Sequence, residues 1–368
     1  MTELIGYAVL AILTTFLAAA SVLPMSKVPS GAIRGLDFPR QQYFLLALVM
    51  GVCTYLYVPG WPGIAITAFI ALLGLIQVFY IAKFTPVWGK QSVDASEEHL
   101  ADRDRHVRVI ASNVKKSNRD YKPLIQLVQQ REPDVVMAIE VDEAWIEALK
   151  EGLEPLFDHW IEVPKDNGYG MVILSKLELS EIEVRDLITK DVPSARMRVT
   201  LRNGNDFRLY VVHPEPPVMD HDTKGRDGEI ALIGMEAEKD PLPAIVAGDL
   251  NDVAWSTTTR RFQRLSGLLD PRVGRGFFNT FSATMPWMRW PLDHLFHDPR
   301  FRLVDMERLP KVGSDHFPMW FVLALDHIPE EDLSPGEPEE GEAFEAKRMI
   351  VEEQKREREP IGAHWEDE

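Results

Sequence analysis

The amino-acid sequence predicts an α/β protein in which two packed β-sheets are flanked by helices and preceded by transmembrane helices. Long uncharged runs in the first 82 residues predict the transmembrane part. From residue 106 onward, apolar strand-like segments alternate with amphipathic helical segments, which predicts the layered part. The chain has 368 residues, enough for one large domain and a smaller region beside it.

Three apolar runs without charged residues occupy about 4–23, 43–61 and 62–82. About twenty apolar residues, each rising 1.5 Å in a helix, span a bilayer core of roughly 30 Å. The alternatives are a signal peptide for the first run and a buried hairpin for the other two. The first run lacks a preceding basic segment and a convincing cleavage site. We therefore predict an integral membrane protein, with three transmembrane helices in residues 1–82.

The remaining chain divides by composition. Residues 83–105 read as a polar linker, and residues 106–327 as one catalytic domain with a net charge of −7. Residues 328–368 are rich in Glu and Pro with a net charge of −10, and are expected to be flexible, with at most a loose helix over 343–359. An acidic domain is a poor match for a long polyanion, so nucleic acid is the less expected partner. Cys53 is the only cysteine, which excludes a disulfide framework.

The elements of the catalytic domain follow from hydrophobic periodicity. Helices are predicted at 119–132, 142–153, 226–239 and 254–268. Strands are predicted at 106–114, 134–140, 170–175, 195–201, 207–213, 243–248, 293–297, 301–307 and 317–325.

Polar side chains recur where these strands end. Asn113 closes the first strand, Glu140 closes the second, and His213 closes the strand RLYVVH. Carboxylate and amide oxygens hold Mg²⁺, and imidazoles handle protons and the charge of a phosphoryl group. Each residue alone also has a structural interpretation. Asn113 can form a turn, Glu140 can be a solubilising charge, and His213 can cap its strand.

The stretch PAIVAGDLND (243–252) carries a second group of candidates. Gly248 allows a close turn, and Asp249 and Asn251 emerge two residues apart, on one face of an extended chain. Such a pair can orient a nucleophilic water and hold a phosphoryl oxygen. The alternative is an Asx turn in which Asp252 caps the following helix.

The segments PLDHLF (291–296) and GSDHFP (313–318) each place Asp beside His. Adjacent strand residues face opposite ways, so we expect Asp293 to pair with His316 across strands and fix the tautomer of the imidazole. Asp315 would then be free to face a cation. The histidines expected to be structural are His106, His221, His294 and His297.

Taken together, these residues resemble the endonuclease/exonuclease/phosphatase (DNase I-like) superfamily, and GYGMVILSK (168–176) is similar to its central strand. The resemblance covers about residues 106–326. It implies a four-layer α/β-sandwich and phosphoester hydrolysis that depends on Mg²⁺, with Mn²⁺ as an alternative. It also implies that Glu140 binds the metal with help from Asn113 and Asp315.

The same resemblance implies the remaining roles. His316, supported by Asp293, would act on the attacking water, Asp249 and Asn251 would align the water with the phosphate, and His213 would steady the transition state. Whether His316 or Asp249 is the base stays open. The usual His-Thr context of the family is replaced here by His213-Pro214, so the geometry on the substrate side is not carried over.

The membrane face of the catalytic domain is predicted differently by two arguments. With three spans, the loop 24–42 lies on the same side as the domain, and its three basic residues favour the cytoplasm. The same loop, RGLDFPRQQ (34–42), is similar to membrane-anchored members grouped with glycopeptide-resistance phosphatases. That resemblance implies an exported enzyme acting on lipid-linked phosphates. Because the charge bias is small, we favour the extracytoplasmic side.

The sequence therefore predicts a membrane-anchored Mg²⁺-dependent phosphatase or phosphodiesterase, with the bilayer and a phosphate ester as partners; the resemblance extends this ester to a lipid-linked phosphate. Anchoring is useful when the substrate is confined to the same membrane. The tryptophans of PWMRW (286–290) would either contact lipid or pack in the core. One alternative function is a membrane-tethered nuclease, and another is a non-catalytic scaffold that displays the acidic tail. The nuclease would use the concentration of Arg260, Arg261, Arg264, Arg272 and Arg275.

Overall fold

Two β-sheets form the centre of the computed structural model, which describes residues 2–326 and 333–363. The strands are β1 (His106–Asn113), β2 (Val135–Ile139), β3 (His159–Val163), β4 (Met171–Ser175), β5 (Glu178–Asp186), β6 (Pro193–Thr200), β7 (Asp206–Val212), β8 (Ala244–Asp249), β9 (Asp293–His297), β10 (Phe301–Arg308) and β11 (Met319–Leu325). The strand order is β10-β11-β1-β2-β4-β3 in the six-stranded sheet and β5-β6-β7-β8-β9 in the five-stranded sheet.

Helices cover both sheets and form the N-terminal region. They are α1 (Thr2–Val22), α2 (Gly31–Gly35), α3 (Arg40–Tyr57), α4 (Gly60–Ile81), α5 (Glu97–Ala101), α6 (Lys122–Arg131), α7 (Glu143–Leu153), α8 (Lys224–Lys239), α9 (Thr257–Ser266) and α10 (Glu342–Glu353).

The catalytic domain has four layers. Apolar side chains that alternate along the strands, such as Met137 and Leu209, fill the space between the two sheets. The outer face of the six-stranded sheet packs on α6 and α7, where Trp145 is fully buried. The outer face of the five-stranded sheet packs on α8 and α9, with Phe262 at the contact. The predicted α/β-sandwich is confirmed.

The strands meet so that polar strand ends lie at one edge. β1 is parallel to β2 in one sheet, and β7 is parallel to β8 in the other. Parallel neighbours end at the same edge, so the residues that follow these four strands converge there. β9 is antiparallel to β8 and pairs Asp293 with Asp249, which brings the start of β9 to the same edge.

The predicted strands and helices of the domain are present, with boundaries that shift by a few residues. The sequence did not predict β3 and β5. β3 is a short edge strand, and most side chains of β5 are exposed and polar, so neither carries a strong apolar pattern. Edge strands are commonly short or charged because that prevents pairing with other chains.

The N-terminal region is a bundle of α1, α3 and α4 whose outer faces are apolar. Leu17, Met50 and Ile70 pack inside the bundle. By length and composition, the segments Leu4–Met25 and Gly60–Phe84 are the two in the described residues that are long and apolar enough to cross a membrane. α3 is not among them. Its first turn is polar, which weakens its apolar character, so a third span stays a prediction from sequence.

The bundle is docked on the catalytic domain. The indole Nε1 of Trp255 donates to the carbonyl of Asp37, at 2.8 Å, in the loop before α3. The Phe84 ring at the end of α4 lies 6.0 Å from the Trp255 ring. The linker 83–105 also contacts the domain, since Ala95 N donates to the Leu303 carbonyl at 2.8 Å. The N-terminal region and the domain therefore form one packed unit.

The described part of the acidic tail also packs on the domain, unlike the flexible segment that we expected from sequence. Residues 327–332 and 364–368 lie outside the described residues. Between them, α10 buries Ala346 and Ile350, which lie four residues apart on one face of the helix, against Ala231 and Leu265. An ion pair between Glu342 and Arg264 adds to this contact. This narrow apolar stripe was not predicted, because charged residues dominate the composition of the tail.

Gly248 is required where β8 approaches β7. A Cβ atom there would lie 1.9 Å from the Val212 carbonyl oxygen, and φ is +142°. We expect Gly248→Ala to lower the free energy of unfolding by about 3 kcal/mol or more, because a backbone carbonyl cannot move aside. Thermal unfolding measures this. Gly89→Ala is the control, since a Cβ at Gly89 meets no atom within 4 Å. Equal unfolding temperatures for the two variants would contradict the prediction.

Candidate active site

A cavity of about 400 Å³ lies at the edge where the four parallel strand ends meet. It is the place where the predicted site residues come together. Asn113 and Asp293 are buried behind its wall and contact residues that line it. The predicted residues that line the cavity are Glu140, His213, Asp249, Asn251, Asp315 and His316.

The side-chain amide of Asn113 connects the two sheets. Its Nδ2 donates to Glu140 Oε1 at 2.6 Å and to Asp249 Oδ2 at 3.2 Å. Glu140 follows β2 with φ of +62°, a conformation that costs free energy for any residue other than glycine. The backbone strain is therefore located where a carboxylate is directed into the cavity.

Asp249 and Asn251 form a compact turn after β8. Asn251 N donates to Asp249 Oδ1 at 2.8 Å, and Asn251 Nδ2 donates to the Pro214 carbonyl at 3.0 Å. The Asx turn that we considered as the structural alternative is thus present, but Asp252 does not cap the following helix, because Ser256 is the N-cap of α9. Asp249 and Asn251 also line the cavity. The structural and the functional interpretations are compatible here.

His316 and Asp293 form the pair that strand alternation predicts. His316 Nδ1 lies 2.8 Å from Asp293 Oδ2, and its Nε2 lies 3.6 Å from Asp249 Oδ2. The backbone N–H of Asp293 donates to Thr280 Oγ1 at 3.2 Å, a contact without a signal in the sequence. His294 faces the other way and contacts Arg272 and the Asp252 carbonyl.

His213 is a buried, uncharged imidazole. Its Nε2 lies 3.9 Å from Glu140 Oε1, and the Tyr169 ring lies 5.3 Å from its own ring. Its Nδ1 has no hydrogen-bond partner among the described residues. Burial lowers the pKa of His213 to about 3, so the ring is neutral near pH 7.

The charge of the His316 side chain influences the pKa values of the acidic groups in the cavity. Burial opposes the charge on His316, but the carboxylates of Asp293 and Asp249 outweigh it and raise the pKa of His316 to about 10. Burial raises the pKa of Asp249 to about 6 and that of Glu140 to about 7, although the His316 charge lowers both. Near pH 7 the site therefore contains more carboxylates than cations.

These groups fit a hard divalent cation beside Glu140. In the described part of the chain, Glu140 contacts the Asn113 amide and, at 3.9 Å, His213, but no Lys or Arg side chain. A bound cation would compensate its charge, and oxygen ligands of this kind suit Mg²⁺. Asp315 also faces the cavity, where its Oδ2 accepts from Lys115 Nζ at 3.0 Å.

Asp249, Asp293 and His316 also lie within 4.8 Å of one another, which by distance alone would accommodate a metal. An imidazole binds a metal through a deprotonated nitrogen. His316 Nδ1 lies against Asp293, and the carboxylates of Asp293 and Asp249 raise the pKa of the ring, which favours its protonated form. We therefore interpret this cluster as a group that handles protons.

Several residues of the cavity were not predicted. Lys115 follows Asn113 by two positions, and Tyr169 lies in the GYGM stretch that resembles the family. Phe38, from the loop between α2 and α3, lines the cavity although it belongs to the N-terminal region. No sequence pattern connects such distant segments.

The arginines that we connected with a nuclease lie away from this cavity. Arg272 is buried in an ion pair with Asp270 at 2.8 Å. Arg275 pairs with Asp94 in the linker at 2.6 Å. The remaining three line a separate cavity beside α10, namely Arg260, Arg261 and Arg264.

Comparison with known proteins agrees with this site. The sequence model described as the Endonuclease/Exonuclease/phosphatase family matches residues 107–316, more than half of the chain. The chain belongs to this family. Its members are metal-dependent phosphoester hydrolases, so the prediction of an enzyme is confirmed. No curated protein sequence matches the chain.

Solved structures of the endonuclease/exonuclease/phosphatase family share the fold. Humanized D. rerio TDP2 has a TM-score of 0.51 at 17% identity, covering 60% of this chain and 99% of that one. A Beutenbergia cavernae member has a TM-score of 0.50 at 16% identity, covering 60% of this chain and 72% of that one. The human Nocturnin catalytic domain has a TM-score of 0.50 at 13% identity, covering 60% of this chain and 95% of that one. At such identities the likeness shows the fold alone.

We expect Glu140→Gln to abolish Mg²⁺ binding and turnover while leaving the fold intact, because the amide keeps the shape of the carboxylate and loses its charge. Since the pKa of Glu140 is about 7, Mg²⁺ binding to the wild type should release protons at pH 6.5 and tighten as the pH rises through 7. Calorimetry in buffers of different ionisation enthalpy measures both effects.

The control for this experiment is Glu143→Gln, which removes an exposed carboxylate three residues away. It should bind Mg²⁺ as the wild type does. Retained metal-dependent activity in Glu140→Gln would refute the ligand role.

Proposed function

We propose that this protein is a membrane-anchored, Mg²⁺-dependent phosphohydrolase that acts on a lipid-linked phosphate. The observation that carries the proposal is the position of Phe38. This residue belongs to the loop between α1 and α3, and it lines the same cavity as Glu140 and His316. The N-terminal region thus supplies part of the catalytic wall, which favours a substrate that arrives along the membrane.

The outer surface of the helix bundle supports membrane anchoring. Large apolar side chains on α1, α3 and α4 are exposed, and such extended apolar surfaces are unfavourable in water. A bilayer would cover them. Examples are Ile12, Leu48, Val52, Leu72 and Phe79. The extracytoplasmic location of the domain stays a prediction from the family resemblance.

The loop 285–288 supports a membrane-facing mouth. Met285, Trp287 and Met288 are exposed there, while Trp290 packs against Phe38 with ring centroids 5.6 Å apart. The side-chain amide of Gln42, at the start of α3, donates to the Trp287 carbonyl at 3.0 Å. This apolar rim would lie against lipid headgroups and acyl chains, where exposed Trp is favourable.

Each polar residue of the cavity has a role in the proposed reaction. Mg²⁺, held by Glu140 with Asn113 and Asp315, would neutralise charge on the phosphoryl group. Asp293 orients the His316 imidazolium, so that Nε2 would donate to a phosphoryl oxygen of a bound substrate.

For the base we favour Asp249 over His316, because a carboxylate with a pKa near 6 is available to take a proton at pH 7 and an imidazolium is not. Asn251, which lines the cavity beside Asp249, would align the attacking water. His213 is neutral and would donate a hydrogen bond to the developing charge on the substrate.

Replacing His316 with Ala is expected to lower kcat by about 10²–10⁴, the range for a lost proton-transfer or charge-stabilising group. In the wild type, kcat/KM should rise with pH as Asp249 loses its proton and fall as His316 loses its proton near pH 10. The alkaline fall should be absent in His316→Ala. A pH–rate series on both proteins measures this, and an unchanged alkaline limb in the variant would contradict the assignment.

The substrate class is tested with the full-length protein in lipid nanodiscs. We expect a higher kcat/KM on an isoprenoid pyrophosphate in the same bilayer than on single-stranded DNA or RNA, because Phe38 and the apolar rim favour a membrane-borne substrate. Replacing Trp287 with Ser should lower activity on the lipid and leave a soluble aryl phosphate unaffected. Preferential cleavage of nucleic acid would refute the proposal.

That outcome would favour a membrane-tethered nuclease, the second candidate. One observation supports it, namely that Lys115 and Lys116 line the cavity and could contact a polyanion. We rank it second because the arginines connected with it lie away from the cavity.

A further inference from the structure

The chain after α10 returns to the active site. We call residues 354–363 the C-terminal strap. Arg356 Nη1 donates to Asp222 Oδ2 at 2.8 Å, which fixes the first part of the strap on the domain. The last described residues of the strap line the active-site cavity, although they lie outside the family-matched region 107–316. These residues are Ile361, Gly362 and Ala363.

A buried carboxylate close to His213 holds the strap. Glu215 follows His213 by two residues and is 1% exposed. Arg358 donates from both terminal nitrogens to its two carboxylate oxygens, a bidentate ion pair. The Ile361 N–H donates to Glu215 Oε1 at 2.8 Å. None of the proposed catalytic roles uses Glu215.

Two further contacts show that the domain is shaped for the strap. The Tyr169 hydroxyl donates to the Ile361 carbonyl, and the Tyr169 ring lies 5.3 Å from the His213 ring. At Gly225, the second residue of α8, a Cβ atom would lie 2.3 Å from Arg358 Nη2 and 2.5 Å from Glu215 Oε2. Glycine at this position therefore leaves the space that the ion pair fills.

From these contacts we propose that the strap is a specificity-determining wall, which admits a terminal phosphate or pyrophosphate group and excludes a phosphodiester inside a polymer. A polymer must leave the scissile bond in two directions and needs an open groove, whereas a terminal group enters end-on. The strap closes one side of that groove beside His213. This inference rests on the proposed function, since it names the class of phosphoester that reaches the same residues.

Replacing Arg358 tests the role of the strap without changing any of the residues that line the cavity. Its removal leaves the Glu215 carboxylate buried without its cation, which is costly and favours release of the strap. Arg358→Ala should raise the ratio of kcat/KM for an end-blocked oligothymidylate to kcat/KM for 4-nitrophenyl phosphate by about tenfold, the lower end of what a steric change in a pocket supplies.

Lys355→Ala is the matched control. It removes one positive charge from an exposed position of the strap, and the ratio should stay at the wild-type value. A second variant acts in the opposite direction. Ala363→Trp adds bulk to the intact wall, so it should raise KM for 4-nitrophenyl phosphate while the unfolding temperature stays near that of the wild type.

The proposal that the strap determines specificity would be refuted by an unchanged ratio of the two kcat/KM values in Arg358→Ala. An unchanged KM for 4-nitrophenyl phosphate in Ala363→Trp would also refute it. An equal loss of kcat/KM on both substrates in Arg358→Ala is one such unchanged ratio, and it would indicate that Arg358 has a structural role only. A different result refutes the proposed function, namely a higher kcat/KM of the wild type on nucleic acid than on lipid pyrophosphate. In that case the ratio in Arg358→Ala still tests the strap.

Discussion

The site depends on one amide group that joins two sheets. Asn113 Nδ2 donates to a carboxylate from the six-stranded sheet, Glu140, and to one from the five-stranded sheet, Asp249. Two carboxylates at this separation repel each other unless a donor or a cation lies between them. The amide supplies the donor. Burial raises the pKa of each carboxyl group, so a bound cation would favour their charged forms. The packing of the sandwich and the chemistry of the cavity are thus connected through Asn113.

Segments from both sides of the family-matched region meet at the same cavity. The loop after α2 brings Phe38 to one part of its wall, and the strap brings Ile361 to another. Both lie outside residues 107–316, the part of the chain that the family shares. The shared part holds the proposed catalytic groups, whereas in our proposal the added segments shape the access of the substrate. We therefore interpret the substrate class as a property of these added segments.

Local patterns in the sequence predicted the layers and the polar groups that meet at the cavity. Alternation along β9 placed Asp293 and His294 on opposite faces, and the structure has Asp293 at His316 and His294 at Arg272. Contacts between distant segments carry no such pattern. The Asp293–Thr280 bond, the position of Phe38 and the burial of Ile350 arise from tertiary packing. The tail in particular looked too polar to pack, because its few apolar residues are spaced one helical turn apart among many charges.

The position of the metal tests the account most directly. Crystals of the protein grown with Mn²⁺ in place of Mg²⁺ would locate the ion through its anomalous scattering. The account predicts a peak beside the Glu140 carboxylate and the Asn113 amide, with the hydrogen bond between His316 and Asp293 intact. A peak among Asp249, Asp293 and His316, or none in the cavity, would contradict it.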